Sequence, residues 1–290
     1  MGSRHLLLSQ LAVMGALVVA LHLPSAVQKG PEPLWQLLAR SDAVVEAELR
    51  PSWRSKQGTL AGLELHRIKV IVGDNVGSQL SVTLQGLSPK ELRTIQRLVA
   101  RRVIVFLGSY DKAFNDLKLA APPASALREA TPRLLNAIQQ AARANEAAFL
   151  RAKRKGAEYC KSGSDLRRGV RDLVARLGGA PEEVTQAIDG LLRIGGQAVP
   201  YIICELESAR EPISARSVRV STGQETFEAH AHYTPEEKID LLDLVLTRLT
   251  GVSFGSIANG ATPAQRERAI RGWWVYLGRS VFGGEQPTAR

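Results

Sequence analysis

Between Leu166 and Leu206 one local phrase occurs twice: Arg176-Leu177-Gly178-Gly179, and seventeen positions later Arg193-Ile194-Gly195-Gly196. Each copy closes an amphipathic segment. Val170, Leu173, Val174 and Leu177 recur at helical spacing before the first, with Gly178 as a left-handed stop. Val184, Ile188, Leu191 and Leu192 do so before the second, where Pro181-Glu182-Glu183 supplies a helix start with acidic residues at its positive end. A third segment follows with Val199, Ile202, Ile203 and Leu206 facing one way and Pro200 in its first turn. None of these short helices can bury its apolar face alone, so the spacing predicts that neighbours stack around Gly-Gly corners.

Outward from this block, the C-terminal side keeps the helical period after one interruption. Residues 212–233 read as a β-hairpin insert, with Val218 and Val220 before Thr222-Gly223 and an alternation Phe227, Ala229, Ala231, Tyr233 after it. Thr234-Pro235-Glu236-Glu237 reads as a capping box opening a helix over 239–249. Ile270, Trp273, Trp274 and Leu277 share one helical stripe, which places at least one tryptophan in a core.

On the N-terminal side the period changes. Leu34, Leu37 and Leu38 suggest a short helix. Alternating apolar residues then predict strands over 43–49, 63–72 and 80–84, with 103–107 as a fully buried strand and 117–119 as a short fifth. Ser88-Pro89-Lys90-Glu91 is a capping box with proline at the first helical position. Four or five short strands around one helix suggest a small, closed or partly closed barrel. Pro122-Pro123 breaks the chain, and Thr131-Pro132 starts a long helix to about Arg154, read as a bridge between domains with a free-standing charged helix as the alternative.

Two resemblances attach to these residues. Leu37-Leu38-Ala39-Arg40-Ser41-Asp42-Ala43-Val44-Val45, with Val70-Ile71-Val72-Gly73 and Val103-Ile104-Val105-Phe106-Leu107, resembles exported bacterial domains with a netrin-like, OB-type barrel. The chain lacks the N-terminal cysteine through which the animal inhibitors of that class act, so metalloprotease inhibition is not implied. Leu191-Leu192-Arg193-Ile194-Gly195-Gly196-Gln197-Ala198-Val199-Pro200 resembles the inter-helix phrase of HEAT-type repeats. The finish, Thr250-Gly251-Val252-Ser253-Phe254-Gly255 followed by Trp273-Trp274, is similar to the ending of HEAT-like domains in large exported bacterial proteins, which implies that the Trp-bearing helix packs back on the repeats. The expected fold class is α+β: an OB-like barrel over 34–120, a linker helix over 124–156, a HEAT-like helical domain over 162–280 with its hairpin insert, and a flexible tail over 281–290.

Charge and composition limit the function. The chain has 290 residues and a net charge of +10, which favours anionic company or plain solubility. The densest basic cluster, 151–155, has no aromatic partner for stacking, so nucleic acid is disfavoured. Arg4 and His5, an apolar run from Leu6 to Leu23 and the small residues Ser25-Ala26 read as a signal peptide over 1–26. The same run is just long enough to span as an uncleaved anchor, the one membrane attachment the sequence offers. The expectation is an exported chain, periplasmic or secreted. Cys160 and Cys204 are candidates for one disulfide, the alternative being a buried Cys204 beside a free Cys160. His230 and His232 share a strand face and, with a third ligand such as Glu228 or Asp240, are candidates for zinc or copper. No nucleophile elbow, phosphate loop or cofactor motif occurs. The sequence therefore points to a non-catalytic binding or scaffold protein whose partner is another protein or an anionic envelope polymer. A metal-binding protein or metal-dependent hydrolase using His230 and His232 is the alternative.

Overall fold

The first described helix, α1 (Leu34–Arg40), faces two ways. Leu37 and Leu38 pack with Val44, Ile104, Phe106 and Ile138, while Trp35 turns to the large core formed by the C-terminal helices. The computed structural model describes residues 32–54, 60–73, 79–83, 88–111, 116–161, 163–214, 217–221, 230–255 and 257–284. The expected signal peptide lies outside them.

The fold is mixed α+β. The sheet is built from β1 (Ala43–Arg54), β2 (Leu60–Gly73), β3 (Gln79–Thr83), β4 (Arg102–Asp111), β5 (Asp116–Leu119) and β6 (Leu127–Glu129). Its order is β1-β2-β3-β5-β4-β6, and β1 also pairs with β4. All pairings are antiparallel except β3 with β5. Ala43, Val45, Ala47 and Leu49 of β1 face a first core with Leu63, Leu65, Val82, Val103, Val105 and Leu107. The alternate residues Val44, Ile104 and Phe106 enter the second core under α1. Burial on both faces is the reason 103–107 reads as an unbroken apolar run. Helix α2 (Pro89–Leu98) starts at the expected Ser88–Glu91 capping box and closes the first core with Ile95 and Leu98.

Pro122-Pro123 does not simply break the chain. Ser125 and Ala126 N–H groups donate to the Pro122 carbonyl in a short helix, α3 (Pro123–Ala126), which delivers β6 to the edge of β4. Proline suits a first helical turn because the amide it lacks would be unpaired there anyway.

Helix α4 (Pro132–Tyr159) is longer than expected and does not stand free. Its first half covers the sheet through Ile138, and its second half lies along the last helix, α9 (Pro263–Ser280). The seam is made of small residues. A Cβ on Gly278 would sit 2.0 Å from the Ala148 carbonyl oxygen, and one on Gly156 would sit 2.5 Å from the Trp274 ring.

The remaining helices are α5 (Asp165–Arg176), α6 (Pro181–Ile194), α7 (Val199–Glu205) and α8 (Lys238–Thr250). They share one core with α9, built from the residues the helical spacing indicated. Gly195 ends α6 at φ +75°, followed by a 3-10 turn over Gly195–Ala198. Gly178 differs from expectation: it is absent from the positive-φ glycines, and α5 runs out through a right-handed Leu177 cap. Helix α8 starts within one residue of expectation, but its cap differs. Thr234 donates its amide to Asn259, and the first turn is capped instead by the Asp240 carboxylate, which accepts from the Glu236 and Glu237 amides at 2.9 and 3.1 Å. Strands β7 (Val218–Ser221) and β8 (His230–Tyr233) pair antiparallel beside α6, and residues 222–229 lie outside the described residues.

Candidate binding cleft

The residues Thr250, Gly251, Phe254 and Gly255 form one device. Gly251 caps α8 at φ +70°, and Thr250 Oγ1 donates to the Leu246 carbonyl at 2.8 Å while accepting from the Val252 amide at 3.1 Å. The turn drops Phe254 into the core, edge-on to Trp273 at 4.9 Å and 6.2 Å from Trp35. A Cβ on Gly272 would lie 2.3 Å from the Phe254 ring, so α9 needs glycine there to admit it. Trp273 and Trp274 are both buried. Trp273 Nε1 donates to Asp243 at 2.7 Å, and the buried Trp274 Nε1 has no hydrogen-bond partner among the described residues. Burial raises the Asp243 carboxyl from its ordinary value to about 6, despite the Trp273 and Ile257 donors. Beside it Arg266 pairs with the fully buried Asp240 at 2.8 Å and with Glu236 and Glu237. These groups hold α8 to α9.

Gly196 lies in the 3-10 turn and Pro200 in the first turn of α7, positions that orient α7 across α5. Cys160 and Cys204 form a disulfide with Cα atoms 5.6 Å apart, joining the end of α4 to α7. Tyr159 and Tyr201 stack beside it at 5.1 Å. His230 and His232 lie on β8, opposite Ser221 and Arg219 in register. No group of three or more His, Cys, Asp or Glu side chains among the described residues is arranged to hold a metal ion.

Where these elements meet, a cleft of about 750 Å³ opens between the α1–β1 turn, the end of β2, α4 and α9. Its apolar lining includes Val72, Ala142, Phe149, Ile270, Trp274 and Val275. Its charged lining is cross-linked between elements: Asp42 pairs with Arg268, Glu146 with Arg271, and Lys153 with Glu207. Two of the cations also lie against aromatic rings. Arg271 Cζ is 4.3 Å from the Phe149 centroid, and Lys153 Nζ is 4.6 Å from that of Trp274. Asn145 ties the walls together: it donates to the Trp35 carbonyl at 2.8 Å and accepts from Arg279 Nε at 3.0 Å.

The basic cluster at 151–155 is dispersed by the turn of the helix. Arg151 donates to the Gly278 carbonyl, Lys153 points to the cleft, and Arg154 and Lys155 are exposed. Trp274, which the helical stripe places in a core, also lines the cleft, and Phe149 stands beside it. Lys153 and Arg271 are 118 positions apart, and no local pattern announces that they meet. Comparison with protein-family models, with curated proteins and with solved structures finds no match to this chain.

Proposed function

We propose that this is an exported, non-catalytic binding or scaffold protein that recognises a protein or an anionic envelope partner. The observation that carries the reading is the cleft at the junction of sheet and helices, an apolar floor with ion-paired rims. Ligand sites commonly combine a mostly apolar lining with a few placed polar groups at such junctions. Export is supported by the Cys160–Cys204 bridge, since disulfides persist in oxidising compartments, together with the apolar run Leu6–Leu23. A net charge of +10 would draw anionic partners to the surface before the cleft engages them.

For the architecture we infer an OB-type barrel followed by HEAT-like helical pairs. The barrel is supported by the return of pairing from β4 to β1, by the parallel β3–β5 contact and by the interposed α2. The helical reading is supported by the packing of α5 on α6 and α7 around the Gly195 turn.

Capture from cell-envelope extract by the disulfide-intact protein, washed at low and then high salt, tests the function. Glu267→Trp narrows the cleft from its exposed rim without touching the core. A defined protein that survives high salt on the wild type and is lost from this variant is expected. Capture that elutes entirely with salt, or that the variant retains in full, refutes recognition through the cleft.

A further inference from the structure

Lys153 and Arg271 reach one aromatic ring from two helices. Lys153 Nζ is 5.8 Å and Arg271 Cζ 4.3 Å from the Phe149 centroid. Arg268 stands one turn before Arg271 on α9 and lines the same cleft. Three cations thus gather over an apolar floor, an arrangement of like charges that is unfavourable unless anions lie among them. The anions now present are the protein's own Asp42, Glu146, Glu207 and Glu267, the last paired outward with Arg210, and cations and anions are not held equally. Lys153 and Arg271 each have an aromatic face as well as a carboxylate, and Arg268 is only 10% exposed. Glu146 and Glu207 are half-exposed, and among the described residues the ion pair to the cleft cation is the one polar contact of either carboxylate. An incoming anion therefore displaces Glu146 or Glu207 from an exposed pair, which is weak.

We infer that the cleft binds an organic carboxylate with an apolar body, its carboxylate bridging Lys153 and Arg271 in place of Glu207 and Glu146, and its body lying on Phe149 and Ile270. A cleft of about 750 Å³ has room for such a molecule. Arg271, a planar fork already oriented by the Phe149 ring, suits bidentate recognition of a carboxylate. The inference rests on the cleft being the recognition site of a binding protein, and it narrows the occupant to one chemical class.

The test is calorimetric titration of the full disulfide-intact protein with 4-phenylbutyrate, its neutral amide 4-phenylbutyramide, and the cation 4-phenylbutylammonium. The carboxylate should bind at least tenfold more tightly than either, and Arg271→Ala and Lys153→Ala should each weaken it tenfold or more with unchanged urea midpoints. Glu146→Gln removes a competitor from the site, so it should tighten binding several-fold, which a merely structural role for the ion pair would not do. Equal affinity for acid and amide, preference for the ammonium compound, no carboxylate binding at all, or weaker binding by Glu146→Gln each overturns the inference. Equal acid and amide affinity, with capture still lost in Glu267→Trp, removes the carboxylate class and leaves the cleft as the recognition site. No binding of any probe together with undiminished capture removes both.

Discussion

Replacing both cysteines, Cys160→Ser with Cys204→Ser, removes a covalent tie between the end of α4 and α7. The two residues are 44 positions apart in sequence with Cα atoms 5.6 Å apart. In the chain-entropy description, closing a loop of that length lowers the entropy of the unfolded chain enough to stabilise the fold by about 4 kcal/mol at 25 °C. Serine keeps nearly the same volume, and the Tyr159–Tyr201 stack is formed by other side chains, so little else in the native state changes. The measurement is urea unfolding followed by tryptophan fluorescence, on the wild type with and without reductant and on the double variant. With a slope of about 2.5 kcal/mol per molar urea, the midpoint should fall by about 1.5 M in the reduced wild type and in the variant alike. The variant should be indifferent to reductant. A loss under about 1 kcal/mol, or a variant midpoint that still moves with reductant, would refute the reasoning.

Three further outcomes follow from the packing and the buried charges. Gly278→Ala pushes a methyl group against the Ala148 carbonyl and should cost about 2 kcal/mol or more in thermal unfolding, whereas Gly169→Ala, within α5 and with nothing within 4 Å, should gain about 0.5–1 kcal/mol; similar effects at both sites would contradict the close α4–α9 seam. Arg266→Met strands the fully buried Asp240 and should cost about 3–5 kcal/mol in urea, while Arg266→Met combined with Asp240→Asn, which removes the charge and keeps an acceptor for the Glu236 and Glu237 amides, should recover most of it; a double variant no better than the single one argues against an isolated buried charge as the cause. Asp243 holds its proton more tightly folded than unfolded, so the stability it contributes is full below its ordinary value of 3.8 and is lost as pH rises through about 6. That loss amounts to about 3 kcal/mol. Asp243→Asn keeps an acceptor for Trp273 Nε1 and should flatten the fall in urea midpoint between pH 4 and pH 7; equal slopes in the two proteins would place the titration elsewhere.

The way the last turn of α4 meets α7 separates local from tertiary information. The Ser88–Glu91 box, the Gly195 turn and the apolar stripes of α5, α6, α7 and α9 involve residues within a few positions of one another. Propensity, capping and periodicity act at that range, so the amino-acid order alone places them. The same holds for the two-sided burial of 103–107, because a run with no polar face admits few other settings. The cap of α8 shows the limit: Thr234 satisfies the local pattern, but the Asn259 side chain claims its amide and the first turn is capped by Asp240. The cleft is invisible to any such pattern. Its charged pairs join positions from 54 to 226 residues apart, and the helices α4 and α9 that wall it approach closely at Gly278 and Gly156. Sequence by itself determined the longer helices, most of the strands and which faces must be buried, while the short α3 at Pro123–Ala126 went unannounced. Tertiary structure decided which buried faces meet, and so where cations and aromatic rings converge, because that choice is made by packing between distant segments and leaves no local trace.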